Sequence, residues 1–244
     1  MMLPRRVLGL AVSCLLAAAA STQAQVSPAR AAADGFQQTF AVDKAELGST
    51  GRNPYFILEA GYQHTYEGME GKKTVRLIIT VLSKSEMVDG VETRVVEERE
   101  TADGKLVKIS RNFFAISKKT RDVYYFGEDV DNYSEGKVVS HKGSWRAGVA
   151  GARFGLFMPA QPVVGARYYQ EQAPGVALDR FEIQSVTDTL QTPAGRFTGV
   201  VRCLETTPLE PGVKAPKQFA SGVGLIKDGS LLLVKHGMAV PAGH

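Results

Sequence analysis

Cysteine is almost absent from this chain, which has only Cys14 and Cys203 among its 244 residues. Cys14 falls inside an N-terminal apolar run. Removal of that run leaves Cys203 alone and excludes an intramolecular disulfide, even in a compartment that would permit one. Cys203 lies in FTGVVRC on the same period-2 face as Phe197 and Val201, the setting of a small buried hydrophobe rather than a reactive thiol. Histidine is scarce too: His64, His141, His236 and His244 are the only four, and no two stand at a metal-ligand spacing, so no metal site is expected.

Nucleophile motifs are missing as well. There is no G-x-S-x-G, and Ser134 to Lys137, SEGK, matches S-x-x-K only formally. Its Gly136 and acidic, turn-like surroundings do not suit the helical turn that would bring lysine onto serine, and the companion motifs are lacking. VGLIKDGS and AGVAGARFG lack the strand-to-helix setting of a phosphate loop. No catalytic residue and no cofactor is implied; an enzyme would have to be assembled from dispersed residues such as Glu128, His141 and Glu171. Basic clusters are absent although the sequence pI is about 9.0. Loss of residues 1–24 would remove Arg5 and Arg6, leaving 27 basic against 25 acidic residues, which excludes a nucleic-acid binder on charge grounds.

What is present begins with a leader. Arg5 and Arg6, the apolar run Val7 to Ala20 and small residues up to Ala24 form the pattern of a secretory signal peptide, 1–24, which places the mature chain in the periplasm or outside the cell. The apolar run is too short for a comfortable membrane span, and no transmembrane span is expected in the mature chain. A lipoprotein signal acylated at Cys14 is the rival reading; apolar sequence continuing to Ala20 argues against it. Residues 25–52 read as a poorly ordered N-terminal segment, with at most one short helical turn in AVDKAEL.

Residues 53–237 read as one mainly β domain, followed by a short tail, 238–244. KTVRLIITVLSKSEMV puts Val75, Leu77, Ile79 and Val81 on one face. Asp89-Gly90 and Asp103-Gly104 then supply hairpin turns on either side of VETRVVEERETA, whose charge suits a solvent-facing or edge strand. Further strands are expected over 177–190 and in RFTGVVRCLET, with a last hairpin at Asp228-Gly229. Helical periodicity is lacking throughout, so the predicted fold is a single domain of antiparallel strands forming a curled half-barrel or open barrel.

The stretch from Arg121 to Asp179 is unlike the rest. It holds nine of the twenty aromatics, the single Trp and eight glycines, without a long apolar run to bury them. Trp145, Phe154, Phe157, Met158, Tyr168 and Tyr169 are candidate ligand-binding residues in a lid or rim over the concave sheet, with His141 beside them. The same side chains could instead fill that face as core. Glu128, Asp129, Asp131 and Glu135 lack the glycine placement of a calcium loop and read as the solvated tip of a hairpin.

YYFGEDVDNY, GKVVSHKGSW, the MPA of FMPAQP, YYQEQAPG, TPAGRF, ETTPLEPG and FASGVGLIK together resemble a family of secreted bacterial proteins without established function, over about Asn53 to Lys235. The closing GVGLIK and the Pro-Ala-Gly-x-Phe turn are also similar to those of envelope proteins with curled, lipoprotein-carrier-like sheets. The resemblance implies an exported β-rich protein and carries no catalytic residues. It departs from the family at Phe154, where the usual member has a proline nearby. Two functional readings follow: binding of an apolar or lipid-like ligand in the concave sheet, or a filled envelope module that binds another protein.

Overall fold

The computed structural model describes residues 35–239; the predicted leader and the end of the predicted C-terminal tail lie outside them. The described chain forms eighteen strands. Three short ones come first, β1 (Leu47–Gly48), β2 (Gly51–Asn53) and β3 (Phe56–Leu58). A meander follows: β4 (Tyr62–Glu70), β5 (Lys73–Val88), β6 (Val91–Ala102), β7 (Lys105–Ser117) and β8 (Val123–Ser134). The central stretch adds β9 (Lys137–Ser140), β10 (Trp145–Arg146), β11 (Arg153–Met158), β12 (Arg167–Tyr169) and β13 (Glu171–Gln172). A second meander completes the chain: β14 (Arg180–Thr192), β15 (Gly195–Thr206), β16 (Ala215–Ala220), β17 (Gly224–Asp228) and β18 (Leu231–Met238).

The predicted meander is present, and its turn chemistry explains why. Asp89 and Gly90 have φ of 50° and 76°, and Asp103 and Gly104 have 49° and 76°. These left-handed pairs match the strand twist, so two residues suffice to reverse the chain. The only helical feature among the described residues is a 3-10 turn at Lys44–Glu46, inside AVDKAEL.

The sheet runs β12-β14-β15-β16-β17-β18-β4-β5-β6-β7-β8-β11-β13, antiparallel between neighbours. The last long strand returns to the first, His236 lying opposite His64. The two ends of the path, β12 and β13, are separated only by Gln170. Six consecutive residues, 167–172, are thus bonded to β14 at one end and to β11 at the other, which curls the sheet into a nearly closed barrel. Gly155 of β11 permits that closure. A Cβ there would fall 2.3 Å from Tyr169 O and 2.5 Å from Gln170 O, so any side chain would push the strands apart.

Three expectations are corrected. β6 is a central strand rather than an edge, paired on both sides by β5 and β7, and its Glu98 is buried because it is in phase with Val96 on the inner face. Asp228 is the last residue of β17 rather than a turn residue, with its side chain inside the barrel. Residues 35–52 are not a loose tether: β1 pairs with β7, and Phe40 and Val42 pack on the core. Alternation of apolar residues in that stretch is too short to stand out from its polar surroundings.

Candidate functional site

The barrel interior divides lengthwise into an aromatic half and an acidic half. In the first, Phe157 packs against Phe56, Phe114 and Tyr125, with ring centroids 5.2, 4.9 and 6.1 Å away. Tilted and edge-on contacts of this kind are the favoured aromatic geometries, and they fill space tightly. A cavity of about 30 Å³ lies beside them, lined by Phe56, His64, Tyr66, Phe114, Leu225 and Glu98 among others. It has room for about two water molecules.

Glu98 leads from that cavity into the acidic half. Register carries the inner face from Glu98 to Ser110 on β7, and from Asn112 to Glu128 on β8. On the other wall, Cys203, Lys217 and Asp228 lie side by side on β15, β16 and β17. Lys217 Nζ is 2.9 Å from Asp228 Oδ1 and 3.7 Å from Glu205 Oε1, and all three side chains are buried. Glu171 and Asp179, both buried, meet where the barrel closes, and the Asp179 N–H donates to Glu171 Oε1 at 3.2 Å. Six of the buried carboxyls, Glu98, Glu128, Glu171, Asp179, Glu205 and Asp228, thus share the interior with two buried lysines, Lys108 and Lys217.

Such an interior cannot hold six full negative charges. Burial pushes the Glu98 carboxyl up to about 8, so at neutral pH it carries a proton. Burial also raises Glu128, Glu205 and Glu171, and for Glu171 the neighbouring Asp179 carboxyl adds to the rise. Burial pulls Lys217 down, but Asp228 and Glu205 offset this and leave it above its ordinary value. One oxygen each of Glu98, Glu128, Glu205 and Asp228 has no hydrogen-bond partner among the described residues. His64 is neutral: burial pulls it down to about 4, while its Nε2 meets Val223 O at 2.9 Å. Burial raises Cys203, which keeps it a thiol and fits its reading as a buried hydrophobe.

The predicted site residues are not brought together. Trp145, Phe157 and Tyr168 face the interior; Trp145 sets its edge on Tyr125 at 5.3 Å and Tyr168 packs against Phe181 at 6.3 Å. Met158 is fully buried, and its carbonyl accepts from Asn53 Nδ2 at 3.2 Å. Phe154 and Tyr169 lie on the outer face, Phe154 stacked on Phe126 at 4.7 Å and Tyr169 against Phe36 at 6.1 Å. His141 is exposed on the β9–β10 connection, its Nδ1 at 2.9 Å from Asp131 Oδ1. Apart from His141, these side chains are wall and core of the barrel, not a rim.

Of the acidic run, Glu135 is an exposed turn residue as expected. Asp129 and Asp131 instead pair with Arg146 and Arg111, and Glu128 is buried. The interior charges had a signal in the sequence: Glu98, Glu205 and Lys217 stand in phase with the apolar faces marked by Val96, Cys203 and Phe219. A charged residue at a core-facing position is the unusual observation.

No family model, curated protein or solved structure matches the chain. Among the described residues, no three His, Cys, Asp or Glu side chains are placed to hold a metal ion, and no helix is long and apolar enough to cross a membrane.

Proposed function

We propose that this is an exported envelope protein whose barrel is a filled scaffold and whose outer face binds a protein partner. The observation that carries the reading is the interior cavity of about 30 Å³. Sites for small-molecule ligands usually offer roughly 300–1,000 Å³, an order of magnitude more. A lipid chain would have to displace the packed rings around Phe157. The exposed apolar residues are on the outside, Val138 and Val139 on β9 and Val163 and Val164 on the β11–β12 connection.

A photo-crosslinking residue placed at Val139 or Val163 in living cells should give a discrete crosslinked species, and one placed at interior Leu225 should give none. Absence of any product from a set of outer positions would count against the reading.

The oxygens of Glu98 and Glu205 that make no hydrogen bond favour a second reading, in which the interior opens to admit a small apolar ligand with a hydrogen-bond-donating head. That version predicts a response of Trp145 fluorescence to amphiphiles; the docking version predicts none.

A further inference from the structure

The edge of β12 that faces away from β14 is taken by the start of the described chain. The Gln37 N–H donates to Arg167 O and the Tyr169 N–H donates to Gln37 O, each at 2.9 Å, a parallel bridge of two bonds. The Gln172 side chain adds a bond from its Nε2 to Gln38 O at 2.7 Å. Phe36, Gln38, Phe40 and Val42 are half-buried while the residues between them are exposed, which is the alternation of an added strand.

Two aromatic positions fix this strap. The Phe36 ring stands edge-on to Tyr169, and the Arg180 and Arg167 guanidiniums lie 4.3 and 5.5 Å from its centroid. Cations beside a ring select an aromatic side chain over an aliphatic one. Four residues on, Phe40 is edge-on to Tyr124 at 6.2 Å. The walls do not depend on the strap for their positions. Arg167 pairs with Glu182 at 2.9 Å, the Arg180 Nε donates to Thr206 Oγ1 at 3.1 Å, and Tyr124 and Tyr169 stand on β8 and β12, which are paired to β7 and β14.

We propose that this groove along β12 is a docking site for an extended segment of a partner protein that carries aromatic side chains four positions apart, and that residues 36–40 occupy it in cis until the partner displaces them. The seated segment shows what fits: main-chain bonds to β12 supply affinity and the two aromatic positions supply specificity, the logic of strand addition. Protection of a bare sheet edge would be served by any extended segment and does not require the rings. The inference rests on the docking reading and names its partner's chemistry.

The probe is a fluorescein-labelled peptide of residues 35–42, GFQQTFAV, titrated into the full chain and into the full chain carrying Phe36→Ala with Phe40→Ala. Weakening the tethered competitor should tighten peptide binding by about tenfold or more, because a tether supplies a high effective concentration. The same peptide with both Phe replaced by Ala should bind neither chain. No binding to the double variant, equal binding to both chains, or equal binding of the aromatic-free peptide would each overturn the proposal. Should the variant fail to fold, hydrogen exchange on the unaltered chain decides: the Gln37 and Tyr169 amides should exchange about a hundredfold faster than those of β5 and β6. Equal protection would mean that the strap leaves only on global unfolding, and the proposal would fall. A negative peptide result leaves the filled interior and the crosslinking result untouched, so the two readings fail separately.

Discussion

Inside the barrel, the Lys217 ammonium stands 2.9 Å from Asp228 Oδ1, and neither side chain is more than 1% exposed. Breaking a buried pair by removing one partner leaves a charge with no solvent to stabilise it. Lys217→Met should therefore lose about 3–5 kcal/mol in urea denaturation. Asp228→Asn should lose less, because Glu205 still faces the lysine. Equal, small losses for both would mean that Lys217 is not charged in the fold.

Stability should fall at both ends of the pH range from a maximum at mildly acidic pH. Glu98 titrates near 8 in the barrel against an ordinary 4.5, so its contribution is full below 4.5 and is lost as pH rises through 8. His64 titrates near 4 against 6.5, so its contribution is present above 6.5 and is lost as pH falls through 4. Between 4.5 and 6.5 the His64 slope opposes, and is outweighed by, those of Glu98 and the other raised acids, Glu128, Glu171 and Glu205. Above 6.5 only the acids act, and each proton is worth about 1.4 kcal/mol per pH unit. Denaturation midpoints across this range should show the alkaline decline, and Glu98→Gln should make it shallower by about 1.4 kcal/mol per pH unit. An alkaline arm unchanged by the substitution would locate the proton elsewhere.

Gly155→Ala should destabilise the barrel by about 1–3 kcal/mol, as overpacking does. Its Cβ would sit 2.3 Å from a backbone oxygen that cannot rotate away. Wild-type stability in the alanine variant would show that β11 and residues 169–170 are further apart than described.

Tyr125 donates its hydroxyl to Asn112 Oδ1 at 2.6 Å in the interior. Tyr125→Phe leaves that oxygen unpaired and should cost about 1–3 kcal/mol. The aromatic circular dichroism of Trp145, edge-on to the same ring, should change little, since the ring remains. A lost Trp145 signal would mean that the hydroxyl organises the core and not only its own bond.

The long meander was legible because β-branched alternation and Asp-Gly turns act locally: Val75 to Val81 define a face, and Asp103-Gly104 reverses the chain with no help from the rest of the fold. Closure was not, because it depends on one non-local approach, Gly155 to the Tyr169 and Gln170 backbone, which no periodicity encodes. The charged strand was misread for a related reason. Glu98 and Lys217 are charged in the sequence, and only the partner strands show that they face inward. The aromatics of 121–179 stand out in the sequence as candidate ligand-binding residues or as core, and period 2 divides them between two faces of one wall. Phe36 and Phe40 do not stand out in the sequence, because a strap of five residues has too few alternations to be seen.

Native mass spectrometry of protein purified without detergent tests the central claim, that the barrel is filled by its own side chains, most directly. The account predicts a single species at the mass of the unliganded chain, before and after incubation with fatty acids and phospholipids. A discrete non-covalent adduct of lipid-like mass that survives desalting would contradict it.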